Sequence, residues 1–172
     1  MILQTAQLIL RPCSPADRAD FIALERDPEV MRYLHGGPVD HEAIDPQEVT
    51  FLMPRGGEPH VWTARRRSSE AFVGWFSLWP QAPEVAELGY RLRRDAWGQG
   101  LASEGAHALA HWGLAEGGYR KVVACTMAVN TASRRVMEKI GMSHVRTEFP
   151  DFSVRILGTE QGEVWYELAR HA

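Results

Sequence analysis

The chain has 172 residues, 45% of them hydrophobic, 24% charged and 9% aromatic, which excludes a disordered tail, a collagen-like chain and a coiled coil. Nineteen Lys and Arg against 22 Asp and Glu leave a formal net charge of −3, so no basic bias points to nucleic acid. The length suits one domain over 1–172 with a core of its own.

In chain order, Leu8-Ile9-Leu10-Arg11 predicts a short strand closed by Pro12, and Ser14-Pro15 supplies a capping hydroxyl ahead of a first-turn proline. The helix so opened carries Phe21, Ile22 and Leu24. A second is expected from Asp27-Pro28, with Val30, Met31 and Leu34 inward and Gly36-Gly37-Pro38 as its stop. Pro54-Arg55-Gly56-Gly57-Glu58-Pro59 predicts a surface loop. Strands are expected over 60–66, 71–79 and 85–92, the first two joined by the polar turn Arg67-Ser68-Ser69-Glu70. A loop over 93–100 feeds the clearest helix, 101–116, where Leu101, Gly105, Ala108, Leu109 and Trp112 share a face before Gly117-Gly118. A strand over 121–127 precedes Asn130, an expected N-cap for a helix that offers Val136 and Ile140 and ends at Gly141. Two late strands fall at 142–149 and 163–169. The order implies an α+β fold on one mostly antiparallel sheet with a parallel crossover through 101–116.

Cys13 and Cys125 belong to no CxxC pair, which suits a reducing compartment and small apolar roles. The first residues lack the features of a signal peptide, and no run approaches the ~20 apolar residues of a membrane-spanning helix. The expectation is a cytoplasmic chain with no membrane or nucleic-acid partner, monomeric or homodimeric. His107 and His111 stand four apart on a helix, but Ala108 occupies the place of the HExxH glutamate and no third ligand is evident, so no metal is expected. Arg65-Arg66-Arg67 is expected to be a solvated strand end.

The chemistry concentrates between Glu87 and Glu104. A helix's first turn leaves backbone N–H groups unpaired at the positive end of its dipole, and Gly98 and Gly100 remove side chains that would hold a large anion away. A glycine pair ahead of a helix is also what a plain strand-to-helix turn requires. The loop lacks the Gly-Lys-Ser/Thr of a Walker motif, and Ser103 stands where a dinucleotide fingerprint would place its third glycine.

Trp97-Gly98-Gln99-Gly100-Leu101-Ala102 resembles the acetyl-CoA pyrophosphate motif of the GNAT N-acetyltransferases, Q/R-x-x-G-x-G/A, with Trp97 in the first position. That departure resembles the ribosomal-protein-alanine N-acetyltransferase branch. Three further segments are similar to that branch in the same order: Leu8–Arg11 with Asp27–Leu34, then Glu87-Leu88-Gly89-Tyr90, then Asn130–Met142, which matches Asn-x-x-Ser…Glu-Lys-x-Gly-Phe with Met142 in place of Phe. Residues 30–60, the amine-binding region, carry little family information.

The resemblance implies a GNAT fold with splayed central strands and acetyl-CoA as co-substrate. Pantetheine would pair with Tyr90, Arg91 and Leu92, where a backbone N–H would stabilise an oxyanion. Gly98, Gln99, Gly100, Leu101, Ala102 and Ser103, beside Trp97, would hold the pyrophosphate. Asn130 would meet the pantetheine arm, and Ser133 the sulfur. Arg91, Arg93, Arg94, Arg134 and Arg135 are candidates for the 3′-phosphate. Glu87 is the candidate base, through water, with a carboxylate balancing an arginine as its other reading. Met137 falls where many relatives carry a tyrosine acid, leaving Ser133 or water as proton donor. The expected reaction is acetyl transfer by direct attack of a primary amine, either a protein N-terminus or a small cationic molecule. The alternative is a non-catalytic acyl-CoA-binding module of the same fold.

Overall fold

Leu8 and Leu10 alternate with Ile9 and Arg11, and β2 (Leu8–Pro12) pairs antiparallel with the short β1 (Leu3–Gln4) in the computed structural model. The structure describes residues 1–34, 54, 56–152 and 156–170. After β2 the Asp17 carboxylate accepts from the Ser14 N–H at 2.9 Å, closing a single 3-10 turn that leads into α1 (Arg18–Arg26).

The second helix expected from Asp27 does not form. Asp27 is extended, as a residue before proline tends to be, and its carboxylate accepts from the Glu29 N–H at 2.9 Å, so 28–34 become successive turns. The expected stop, Gly36-Gly37-Pro38, lies outside the described residues.

Strands β3 (Val61–Arg66), β4 (Phe72–Ala82) and β5 (Val85–Leu92) follow, then α2 (Leu101–Ala115), β6 (Lys121–Met127), α3 (Thr131–Lys139), β7 (Ser143–Glu148) and β8 (Glu163–Ala169). They form one sheet in the order β1-β2-β3-β4-β5-β6-β8-β7, antiparallel throughout except for the β5–β6 neighbours that α2 connects. This is the α+β crossover that the element order implies.

Helices α2 and α3 cover one face of the sheet. Leu101, Ala106, Leu109 and Leu114 from α2, with Met137 and Ile140, pack on Phe76, Leu78, Ala86, Leu88, Val122, Ala124 and Tyr166. The buried side of α2 is wider than the expected stripe, because Gly105 and Gly113 let the helix sit close: a Cβ at Gly105 would stand 2.3 Å from the Phe76 ring. In α3 the fully buried residue is Met137 rather than Val136. On the opposite face, Phe21 and Leu24 of α1 pack against Val61, Phe72 and Trp75.

Two expected surface features stay partly exposed but are anchored to the fold. Pro54 and Gly56 are buried, and a Cβ at Gly56 would stand 2.2 Å from the Ser14 carbonyl oxygen. Of the arginine run, Arg65 pairs with Asp17 and Asp20, Arg66 donates to Gln99, and Arg67 donates to the Thr5 carbonyl.

Candidate acetyl-CoA and amine site

The pairing of β5 with β6 covers only Val85, Ala86 and Glu87 against Lys121, Val122 and Val123, although β5 continues to Leu92 and β6 to Met127. The two strands therefore part at Glu87–Val123. Beyond that vertex, 88–92 and 124–127 flank a gap; at ~3.3 Å per residue the five residues of β5 span roughly 16 Å. The expected splay is present.

At the wide end of the gap stands the loop before α2. The Trp97 indole N–H donates to the Leu92 carbonyl at 2.9 Å and pins the loop to the end of β5. Gly98 and Gly100 both have left-handed backbones, φ +71° and +79°, and a Cβ at either would meet no atom of the described residues within 4 Å. Gly100 is the N-cap of α2, and among the described residues no side chain caps that helix, so the amides of Leu101, Ala102 and Ser103 keep the orphan donors of a first turn. Gln99 donates to the Asp95 carbonyl at 2.6 Å and accepts from Arg66, which brings a cation from the end of β3 to the loop. Glu104 anchors the same turn from outside, accepting from the Thr5 hydroxyl at 2.5 Å and from the Gln7 backbone and side chain at 2.7 and 2.8 Å. Partial burial would raise its carboxyl; these donors outweigh that and lower it. Open space, free amides and positive dipole fit a diphosphate.

Alternation divides the gap into two faces. Ala86 and Leu88 belong to the α2 side, so Glu87, Gly89 and Arg91 belong to the α1 side. Glu87 is half-buried at the vertex. It accepts from Gln81 Nε2 at 2.6 Å, with the Cys125 thiol 3.7 Å away, and no arginine among the described residues pairs with it. Burial raises its carboxyl, the thiol partly offsets this, and Glu163 adds repulsion. The Cys125 thiol lies between Glu87 and Glu163; burial and both carboxylates push it far up, so it remains a thiol. Cys125 is thus a polar neighbour of the vertex, not the apolar filler expected of it.

The Arg91 side chain is engaged on the α1 face. Its guanidinium is buried, stacks over the Trp75 ring at 5.1 Å and pairs with the buried Glu25 of α1. Burial pulls this guanidinium down from its ordinary value, and the Glu25 carboxylate is the compensating charge. Among the other proposed arginines, Arg93 pairs with Asp95, and Arg134 donates to Tyr166 and the Ala128 carbonyl. Arg94 and Arg135 carry no ion pair among the described residues.

Tyr90 and Ser133 occupy the α3 side. Asn130 caps α3 as expected, its Oδ1 accepting from the Ser133 N–H at 3.2 Å while Nδ2 donates to Thr126 at 3.0 Å. One lone pair and one N–H of that amide remain for a ligand. Tyr90 Oη lies 2.8 Å from Ser133 Oγ. Met137, one turn further, is fully buried. His107 and His111 are exposed with ring centroids 4.0 Å apart, and among the described residues no group of three His, Cys, Asp or Glu is arranged for a metal. Among the described residues no helix is long and apolar enough to cross a membrane.

Sequence reasoning missed four residues here: Glu25, Gln81, Cys125 and Glu163. None lies in a motif. The alternation of β5, β6 and β8 holds the signal for the last two, since it places Glu87, Cys125 and Glu163 on one face.

A mixed sheet that opens beside a glycine-led helix start leaves a cleft with an anion-binding end, the architecture of an acyl-coenzyme A transferase domain. Comparisons with known proteins agree. The profile of the acetyltransferase (GNAT) domain matches residues 7–143. FsC-acetyl coenzyme A-N(2)-transacetylase of Aspergillus fumigatus is 36% identical over 180 aligned residues, covering 98% of this chain and 76% of that protein. Among solved structures, a GNAT-family acetyltransferase from Bacillus anthracis superposes with a TM-score of 0.78 at 23% identity, over 98% of both chains. A ribosomal L7/L12 α-N-protein acetyltransferase in complex with coenzyme A gives 0.75 at 19%, also over 98% of both. The chain belongs to the GNAT acetyltransferase family, whose members are enzymes that use acetyl-CoA.

Proposed function

We propose that this acetyltransferase moves acetyl from acetyl-CoA to a primary amine of low basicity, by direct attack across the gap between β5 and β6. The observation that carries this reading is the placement of Glu87 at the vertex on one face of the opening and of Ser133, beside Tyr90, on the other. With the diphosphate on the amides of 98–103, the pantetheine arm would lie along 88–92 and bring the thioester toward Glu87. The amine would then approach from the α1 face, where Glu87 accepts its proton through water. The sulfur would leave on the α3 face, where Ser133 offers a hydroxyl. A backbone N–H of Tyr90, Arg91 or Leu92 would carry the oxyanion.

The basicity of the acceptor follows from this base. Holding an α-amine of pKa near 7.8 unprotonated at pH 7 costs about 1 kcal/mol, against about 4.6 kcal/mol for an ε-amine near 10.4. A single half-buried carboxylate, even with its pKa raised, suits the first better. The motif resemblance to the ribosomal-protein-alanine branch is matched in fold by the L7/L12 enzyme, at an identity that carries fold alone. The relative at 36% identity is named for a different nitrogen acceptor, N(2) of FsC. Both readings, a protein N-terminus and a small molecule, are compatible with a low-basicity amine.

A thiol-release screen at pH 7 tests the proposal with amino-acid amides and esters, N-terminal peptides, and polyamines. The α-amines are expected to turn over at least ~100-fold faster, with the difference narrowing toward pH 9. Faster acetylation of a polyamine at pH 7 would overturn it.

A further inference from the structure

Two hydroxyls meet across the opening of the sheet. Tyr90 comes from β5 and Ser133 from the first turn of α3; Tyr90 Oη is 2.8 Å from Ser133 Oγ and 3.1 Å from the Ser133 carbonyl oxygen. The Tyr90 ring is fixed against Phe76, centroids 6.1 Å apart, and Asn130 holds the Ser133 backbone N–H. One turn further along α3, Met137 has no proton to give and is fully buried. These two hydroxyls are therefore the donors that the α3 face brings together at the gap, among the described residues.

We infer that Tyr90 is a positioning residue for Ser133, fixing the direction of the serine hydroxyl and refilling it as the thiolate leaves. This rests on the reading of Ser133 as the group that meets the sulfur. A serine hydroxyl rotates freely, and in a first helical turn it readily bonds back to local carbonyls. A half-buried phenol at 2.8 Å ends that freedom. Tyr90 has one hydrogen and two hydrogen-bonding choices. Pointing at the Ser133 carbonyl, it leaves Ser133 to donate to Tyr90; pointing at Ser133 Oγ, it releases the serine proton into the gap. Only hydrogens move between the two states.

The step balances. As the C–S bond breaks, its electron pair stays on sulfur; Ser133 gives its proton to that sulfur and takes the Tyr90 proton in the same movement. Serine ends neutral, the thiol is complete, and a phenolate remains. It regains a proton from solvent through Ser133 once the thiol has left, matching the proton that Glu87 passes from the amine to solvent. Burial pushes the Tyr90 phenol up to about 12, with the Ser133 bond partly offsetting it, so the proton rests on Tyr90 between turnovers.

The test is a double-mutant cycle on the full chain, read by thiol release at saturating acceptor. Y90F keeps the ring and removes only the hydroxyl; melting temperature and coenzyme A affinity by calorimetry check that fold and binding persist. Expected are a kcat loss of about tenfold for Y90F with the acetyl-CoA KM within about twofold, and an S133A loss at least as large. The double variant should be no slower than S133A, because the phenol acts only through the serine. Losses that multiply in the double variant, or Y90F at the wild-type kcat beside a slow S133A, would overturn the role of Tyr90 while leaving Ser133 in place. S133A at the wild-type rate would remove both residues and leave the amine preference standing on its own screen.

Discussion

Gly100 and Gly118 form a natural experiment at the two ends of α2. Both have left-handed backbones, φ +79° and +82°, and a Cβ at either would meet no atom of the described residues within 4 Å. Alanine at either position therefore carries the same penalty, about 1–2 kcal/mol for a side chain in that conformation. For a chain of this size that is a fall in melting temperature of roughly 2–8 °C. The sites differ only in what the open space is for. If the amides of 98–103 hold a diphosphate, a methyl at Gly100 displaces it from one or two charge-assisted hydrogen bonds of about 1.5–3 kcal/mol each, a rise in acetyl-CoA KM of about 10-fold or more. Thermal melts and acetyl-CoA saturation curves on both variants separate the effects. Gly100→Asn, which tolerates the left-handed backbone, should recover part of the stability but not the KM. Equal KM values for the Gly100 and Gly118 alanine variants would refute the cradle and reduce the loop to a turn.

Two further outcomes follow from the charged groups. Glu87 serves as a base only when ionised, and burial raises its pKa, so wild-type kcat should fall as pH drops through a value above the ordinary carboxylate range. Glu87→Gln should lower kcat by about 10²–10⁴-fold on the neutral side and erase that acidic limb; a loss independent of pH would assign Glu87 a structural role. Asp17 tests the α1 side of the sheet. Burial would raise its carboxyl, but Arg11, the Ser14 N–H, Thr63 and Arg65 outweigh this and hold it well below the usual range. Its contribution is complete above the unfolded value of about 3.9 and is lost as pH falls below it. Asp17→Asn should lower stability at pH 7 by about 2–4 kcal/mol, less than for a fully buried pair because Arg11 and Arg65 are 31% and 29% exposed. Urea unfolding at pH 7 and pH 3 measures both, and an unchanged pH 7 midpoint would count against the network.

What the residues disclose in order and what they conceal have different physical origins. Local signals carried far: β5 and β6 begin and end where alternation places them, and Asn130 caps α3. The glycine-led start of α2 was legible because glycine and the helix start are both local. The failures are tertiary. Asp27 reads as a helix start, yet its carboxylate closes a turn instead. Arg91 reads as a phosphate ligand because it neighbours the cradle in sequence, but strand alternation sends it to the other face, onto Glu25. Arg66 reads as solvated, although the β3–β4 hairpin carries it to Gln99, 33 residues away. Cys125 and Glu163 meet Glu87 only through the register of three strands.

The three-residue contact between β5 and β6 has a consequence for how the enzyme holds together. Strands β1–β5 and strands β6–β8 are two half-sheets joined by a short stitch and by the helices laid over it. A pantetheine arm threaded between them would be a borrowed strand, completing the fabric at each turnover and unpicking it when the product leaves. Catalysis and cohesion would then share one ligand, and the protein would be most nearly whole while it is at work.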